Sequence, residues 1–383
     1  MRKKVAIIGL GYIGGVHLDT LMRIPGLDVV AISDVNEDVI SKIAEAYQIP
    51  VYTTNWKSLL DNPEIEAFHN CTPNNLHFEI NKILLENGKH ILSEKPLCFS
   101  KDEARELRDL AVENGCITGI NHCYRYYPSV QEMAQRIRKG EIGEVHTIFG
   151  SYFQDWLLYD TDYNWRLDKK FAGESNTMAD IGSHWMDLAQ FVSDLKIVEV
   201  MADLNTIHPI RKKAKKEYLT FAKPEGDDFE EVKVEVDDYG SVLLHFENGA
   251  HGNFSVCQVS AGRKCTIDLQ LYGSKESYAW NHESPAQFWI GHRHEGNEIL
   301  FENPLLFHKE AAKFAHLPAG HPLGYYDAVF NLFSEFYRAI DAKNAGESYV
   351  TNLPTFEQGL NMMTIIEAIL KSHREKRWVK VGQ

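Results

Sequence analysis

Val5-Ala6-Ile7-Ile8-Gly9-Leu10-Gly11-Tyr12-Ile13-Gly14 is the stretch that decides the fold. Val5 to Ile8 is a short apolar run with β-branched residues, the pattern of a buried strand. It runs directly into Gly9-x-Gly11-x-x-Gly14, and Val16, Leu18, Leu21 and Ile24 follow at helical spacing. Strand, glycine turn and helix in that order turn a weak motif into an informative one. Gly9 permits a tight turn, Gly11 lets backbone approach a pyrophosphate, and Gly14 lets helix and strand pack closely. The helix N-terminus then offers free N–H groups and partial positive charge to phosphate. Gly9, Gly11, Tyr12, Ile13 and Gly14 are therefore the expected cradle of a dinucleotide.

Working outward, Asp28 to Ser33 reads as the next strand, and Asp34 at its end lies 20 residues after Gly14. An acid there can hydrogen-bond the adenosine ribose hydroxyls and repel a 2′-phosphate, which favours NAD over NADP. The alternation of strand and helix continues to about residue 125, the signature of a parallel sheet covered on both faces. Strands are expected at Val51-Tyr52, Glu66 to Cys71, Lys89 to Leu92 and Ile117 to Asn121, with helices over 36–46, 75–86 and 101–114. Thr72, Pro73, Asn74, His77, Glu94, Lys95 and Asn121 then all fall beyond carboxyl ends of strands, the edge where open α/β sheets bind ligands.

After residue 128 the character changes. A helix over 129–138 leads to a long strand over 145–156. The segment Asp180-Ile181-Gly182-Ser183-His184-Trp185-Met186-Asp187 opens another helix. Val242, Leu244 and Phe246 alternate, Asn248-Gly249 marks a hairpin turn, and strands return at 250–258 and 265–272. The expected fold class is thus an α/β Rossmann domain over 1–125 plus an α+β domain over 126–383 with a large, mostly antiparallel open sheet. Closing helices over 323–342 and 355–372 are free to pack back on the first domain. The charged stretch over 207–238, basic at Arg211 to Lys216 and acidic from Glu225 to Asp238, reads as a solvated loop between strands.

Composition bounds the partners. The 383 residues suggest two or three domains, and 44% hydrophobic content suffices for a full core. A net charge of −14 disfavours nucleic acid and anionic membrane. The basic start Met1-Arg2-Lys3-Lys4 precedes a run broken by glycines, so it reads as a first strand and not a signal peptide. No apolar run reaches transmembrane length. Six cysteines without a C-x-x-C pair read as free thiols in a reducing cytoplasm. His292-x-His294 has no accompanying ligand cluster, and no metal is expected.

A bound dinucleotide points to hydride transfer, which needs a group to take the hydroxyl proton, and the candidates are Lys95 and His184. Lys95 sits at a strand end between Glu94 and Pro96. Asp180 and His184 are four apart, so on a helix Asp180 faces the imidazole and can orient it. On spacing alone, a surface ion pair or a capping Asp is the simpler reading.

With these residues together, the chain resembles the Gfo/Idh/MocA oxidoreductases over nearly its whole length. The resemblance rests on the glycine turn, Asp34, Thr72-Pro73-Asn74, Glu94-Lys95-Pro96 and Asp180-x-Gly182-x-His184-x-x-Asp187. It implies a catalytic group in which His184 exchanges the proton, Lys95 polarises the hydroxyl and Asp180 positions both. It also implies a cis Lys95-Pro96 peptide. Tyr124, Trp165, Arg166, His184, His321 and Tyr325 are the implied substrate contacts. Where many members carry a Gly-Gly-Gly run, this chain has Gly173-Glu174-Ser175-Asn176-Thr177.

The expectation is a cytoplasmic, NAD-dependent dehydrogenase, a homo-oligomer (dimer or tetramer), that oxidises a secondary ring hydroxyl of an inositol, sugar or sugar derivative to a ketone. Two rivals stand beside it. One is a glycosidase that retains NAD and acts through transient oxidation; the other is a non-catalytic NAD-binding regulator.

Overall fold

The structure is a computed structural model that describes residues 2–215 and 228–383. The chain forms two compact units, 1–123 with 325–363, and 124–324 with 364–383.

In the first unit the strands are β1 (Lys3–Ile8), β2 (Leu27–Ser33), β3 (Val51–Thr53), β4 (Ile65–Asn70), β5 (His90–Ser93) and β6 (Thr118–Ile120). Among the described residues they make a six-stranded sheet in the order β3-β2-β1-β4-β5-β6, and every pairing is parallel. The helices between them are α1 (Tyr12–Arg23), α2 (Glu37–Tyr47), α3 (Asn74–Glu86) and α4 (Lys101–Glu113). Because such a sheet is covered on both faces, its strands bury consecutive residues rather than alternate ones. Ala6, Ile7, Ile32, Ala67, Phe68, Ile91 and Leu92 are accordingly buried. The Rossmann-like sheet anticipated from the alternating pattern is what forms.

Local chemistry sets the helix starts. Asn36 caps α2 by accepting from the Val39 N–H at 3.2 Å, and Ser100 caps α4 by accepting from the Glu103 N–H at 3.2 Å. Helix α1, which starts after Gly11, has no side-chain cap. Strand order reverses between β1 and β4, the topological switch point of such sheets.

The second unit holds β7 (Val145–Phe153), β8 (Ile197–Asn205), β9 (Ile210–Ala214), β10 (Phe229–Lys233), β11 (Tyr239–Phe246), β12 (His251–Cys257), β13 (Thr266–Gly273), β14 (Ser277–Asn281), β15 (Gln287–Gly291), β16 (Glu298–Phe301) and β17 (Val379–Lys380). Among the described residues the main sheet has nine strands in the order β16-β15-β14-β13-β7-β12-β11-β8-β17. It is antiparallel apart from the β7–β12 pair. Burial alternates along β8 and β11, as it does where one face packs and the other meets water. The anticipated large, mostly antiparallel sheet is observed; β8 and β14 to β17 were not anticipated.

The helix Ser183–Ser193 packs on this sheet through Trp185. Its indole stacks on Phe254 at 4.4 Å between centroids and 8°, and its Nε1–H donates to the Asp268 carbonyl at 2.9 Å. Gly150 on β7 makes the room: a Cβ there would lie 2.0 Å from the Asp268 carbonyl oxygen and 2.3 Å from the indole nitrogen.

The charged stretch over 207–238 departs from the expected loop. Its described part contains β9 and β10 paired antiparallel. Lys216 and the acidic run's start at Glu225 lie outside the described residues. Arg211, read as part of a solvated basic cluster, is fully buried. Its guanidinium donates to the carbonyls of Leu157, Tyr159 and Asp162, each at 2.9 Å, and pairs with Asp238 at 3.1 Å. A buried cation persists only when so satisfied; here the pairing ties down the loop before Trp165.

Among the described residues no helix is long and apolar enough to cross a membrane. All six cysteines are free. Gly150→Ala is expected to lower stability by about 1–3 kcal/mol, the usual cost of overpacking, and to displace Trp185. Chemical denaturation and the near-ultraviolet tryptophan signal measure both effects.

Candidate active site

In the first unit, a single row crosses the sheet at its carboxyl edge. Ser33, Ile8, Asn70, Ser93 and Ile120 stand side by side in register. The hydrogen-bond ladder continues one residue past the row. Gly9 N–H donates to Ser33 at 2.8 Å, Cys71 to Ile8 at 2.8 Å, Glu94 to Asn70 at 2.8 Å and Asn121 to Ser93 at 3.0 Å. This ladder brings Gly9, Asp34, Thr72, Glu94, Lys95 and Asn121 to one edge, as the strand pattern implied.

The turn is shaped for close approach. Gly9 has φ +90°, and a Cβ on Gly14 would lie 2.0 Å from the Gly9 carbonyl oxygen. Asp34 fastens the turn: it accepts from the Leu10 N–H at 2.7 Å and the Asn36 N–H at 3.1 Å. A carboxylate has about four acceptor positions, so capacity remains for hydroxyl groups. The ends of the turn are free of side-chain caps at both α1 and α3, leaving first-turn N–H groups for an anion.

Thr72 donates its hydroxyl to Asn70 Oδ1 at 2.7 Å. His77 is fully buried, with Nδ1 2.7 Å from the Pro96 carbonyl and Nε2 2.8 Å from the Thr72 carbonyl. Burial pulls its pKa down against the opposing pull of both carbonyls. Both ring nitrogens face protein carbonyls, and the uncharged ring donates to one of them, so His77 fills the space between the loop after β4 and the turn after β5. The Lys95-Pro96 peptide is cis, as the resemblance implied. Glu94 accepts from Asn121 Nδ2 at 2.6 Å, while Asn121 Oδ1 is buried without a partner.

In the second unit, Asp180 sits in a π-helical turn, Met178–Gly182, which runs into the helix Ser183–Ser193 that begins beside His184. The expected single α-helix over both residues is therefore altered at its start. Asp180 accepts from Gln258 Nε2 at 2.9 Å and faces the Arg166 guanidinium at 3.9 Å. Arg166 in turn lies over the Trp165 ring, 4.3 Å from its centroid. The departure at 173–177 is an anchor: Asn176 Nδ2 and the Thr177 hydroxyl both donate to Gln258 Oε1 at 2.8 Å. Asp237 accepts from the N–H groups of Asn176 at 3.1 Å and Met178 at 2.8 Å. Burial raises the Asp237 carboxyl pKa in spite of these bonds.

The His184 ring meets the edge of Tyr124 at 4.8 Å and lies 6.3 Å from Tyr152. The two phenol oxygens are 2.9 Å apart, and both reach Cys265 Sγ, at 3.3 Å from Tyr124 and 3.1 Å from Tyr152. His282 sits behind, with Nδ1 on the Cys265 carbonyl at 2.7 Å and Nε2 on the Tyr127 hydroxyl at 3.0 Å. Burial alone would raise the Cys265 thiol, but His282 and the two phenols outweigh it and hold the thiol below its ordinary value. Burial likewise opposes charge on His282, and Cys265 lifts it above the ordinary imidazole value. His321 is exposed, with Nδ1 3.2 Å from the Pro318 carbonyl, and Tyr325 opens the helix Tyr325–Ala345 in the first unit.

Two family descriptions match the chain. Residues 3–122 match an oxidoreductase family with an NAD-binding Rossmann fold, and residues 130–279 match the GFO/IDH/MocA C-terminal domain. The chain belongs to the Gfo/Idh/MocA oxidoreductase family. Its first unit is an NAD-binding Rossmann domain. Levoglucosan dehydrogenase of Pseudarthrobacter phenanthrenivorans is 27% identical, with 99% of this chain and 98% of that protein aligned. Glucose-6-phosphate 3-dehydrogenase of Bacillus subtilis is 26% identical over 74% of this chain and 75% of its own length. A solved levoglucosan dehydrogenase in complex with NADH and levoglucosan superposes with a TM-score of 0.86 at 26% identity, covering both chains fully.

The residues present fit NAD. Gly9 and Gly14 admit no Cβ, Gly11 faces open space, α1 has no side-chain cap, and Asn121 Oδ1 is buried without a partner. Gly9, Gly11 and the start of α1 would hold the phosphates, and Asp34 the ribose.

Gln258, Tyr152, Cys265 and His282 were not anticipated. Tyr152 is buried near the end of β7, where burial does not alternate along the strand. Cys265 and His282 flank β13 and β14, and only the Asp268–Asn281 register brings those strand ends together.

Asp34→Asn, which keeps an acceptor oxygen but removes the charge, is expected to raise NADP binding relative to NAD by ~tenfold or more; cofactor titration by fluorescence measures the ratio. The thiolate is the reactive form of cysteine. Lowering the Cys265 value makes that form appear at lower pH, whereas burial pushes the half-buried Cys116 up. Alkylation followed by peptide mass spectrometry should therefore show Cys265 reacting at a lower pH than Cys116.

Proposed function

We propose that this oxidoreductase oxidises a secondary ring hydroxyl of a sugar, anhydrosugar or inositol to a ketone, with Lys95, Asp180 and His184 acting on one hydroxyl. Bound NAD supplies the hydride acceptor. His184 takes the hydroxyl proton, Lys95 polarises the oxygen, and Asp180 positions both. The observation that supports this reading is the setting of Asp180 and His184. Gln258 fixes the carboxylate, and Tyr124 bounds the imidazole. Trp165 and Tyr124 supply aromatic rings to this setting, and Arg166 brings a guanidinium that faces Asp180. Aromatic faces with a few fixed polar groups are what a cyclic polyol requires. The similarity to a levoglucosan dehydrogenase over nearly all of both chains supports the same substrate class.

The reading includes a homo-oligomer. Met201 and Leu243, exposed and paired on adjacent strands, supply an apolar patch for a second copy.

The test is purified protein with NAD and a panel of levoglucosan, pyranoses and inositols, followed by the absorbance of reduced cofactor. Lys95→Ala and His184→Ala are each expected to cut turnover by ~10²–10⁴-fold, the usual worth of acid–base help. Full turnover in either variant would remove the assigned role. Sugar release without net reduction would replace this reading with the NAD-retaining glycosidase.

A further inference from the structure

Behind the Glu94-Lys95 turn lies a chain of buried polar groups that cofactor binding does not explain. His17 on α1 and His69 on β4 are both fully buried, and their Nδ1 atoms are 2.9 Å apart. His17 Nε2 lies 2.9 Å from Glu94 Oε1, and His69 Nε2 lies 2.8 Å from the Tyr337 hydroxyl on the helix Tyr325–Ala345. The Phe333 ring lies edge-on beside both imidazoles, at 4.6 Å from His17 and 4.8 Å from His69.

Counting protons assigns the tautomers. The Tyr337 phenol is buried, and His69 is its hydrogen-bond partner. If His69 donated from Nε2, the phenol proton would be left buried with nothing to accept it, at a cost of about 1–3 kcal/mol. So Tyr337 donates to His69 Nε2. His69 is then protonated on Nδ1 and donates to His17 Nδ1. His17 is protonated on Nε2 and donates to Glu94. Every proton has an acceptor, both rings are neutral, and Glu94 is the anion at the end.

The surroundings agree. Burial and the neighbouring Glu66 carboxylate push the Tyr337 phenol well up, so it keeps its proton. Burial holds His69 well below the ordinary imidazole value. Burial would raise the Glu94 carboxyl, but His17, Asn121 and Lys95 outweigh it and hold it below its ordinary range. Cys71 and His77, the other titratable groups facing Glu94, stay uncharged, because burial raises the thiol and lowers the imidazole. The second Glu94 oxygen accepts from the Lys95 backbone N–H at 3.3 Å.

We propose that Tyr337, His69 and His17 form a one-way relay of donated protons that orients the Glu94 carboxylate, and are thereby positioning residues for Lys95. The role assigned to Lys95 rests on the dehydrogenase reading; the direction of the relay does not.

The test uses the full chain labelled with ¹⁵N-histidine, whose spectrum shows which ring nitrogen carries the proton. His17→Gln and His69→Gln samples assign the signals. The expected result is His17 protonated on Nε2 alone at neutral pH, and His69 protonated on Nδ1 alone from ~pH 6 to ~pH 8.5, although ordinary imidazoles titrate there. Tyr337→Phe removes the first donor, so the His69 proton stays on Nδ1 while Nε2 loses its hydrogen bond and its ¹⁵N signal moves to that of an unbonded acceptor nitrogen. In turnover, Tyr337→Phe is expected to lose about tenfold in kcat/KM, mostly through kcat, with the acidic limb of the pH profile moving up. A doubly protonated His17 at neutral pH, a His69 protonated on Nε2 in the unsubstituted protein, or a His69 Nε2 signal indifferent to Tyr337→Phe would each overturn the proposal. Protein inactive on every substrate but with the expected tautomers would sink the dehydrogenase reading and leave the relay standing.

Discussion

All strands of the first sheet run the same way, and from that one constraint the cofactor edge follows. A parallel pair cannot be joined by a tight turn, so each strand must return through a crossover connection. Every loop leaving a carboxyl end therefore emerges on the same side. The backbone ladder runs one residue beyond the aligned row Ser33, Ile8, Asn70, Ser93 and Ile120. It places Asp34, the Gly9 turn, Thr72, Lys95 and Asn121 without any of these side chains having to find one another.

Several polar groups are buried behind that edge, and specific partners hold most of them. His77 joins two loops through carbonyls, and Asp34 joins the glycine turn to the end of β2. Glu94 gathers donors from His17, Asn121 and the Lys95 backbone. Unpaired groups in such positions would cost more than their bonds return. The network consequently holds one arrangement firmly, which is what a dinucleotide site needs from its walls. The second unit applies the same logic at Gln258, which serves Asn176, Thr177 and Asp180 at once.

The NAD-binding assignment, membership of the Gfo/Idh/MocA family and the two-sheet architecture rest on agreeing lines of observation. Polar groups that hold the site shape are as informative as those that face it. The π-helical turn at Met178–Gly182 shows how. Its start is fixed by Asp237 and Gln258, residues far along the chain.

The sequence by itself determined whatever depends on neighbours along the chain. The glycine turn, the acid after β2, the parallel alternation and the strand-end positions of Thr72, Lys95 and Asn121 are all local patterns of period, turn chemistry and spacing. The tertiary structure alone decided what depends on pairing between distant segments. Strands β14 to β17 are five residues or fewer, and only their partners make them strands. Arg211 looked like one cation among several until the carbonyls of 157–162 and Asp238 surrounded it. Tyr337 is separated from His69 by most of the chain, yet it sets the direction of every proton up to Glu94. A hydrogen bond has a direction only once both of its ends are in place, and no local pattern carries that information.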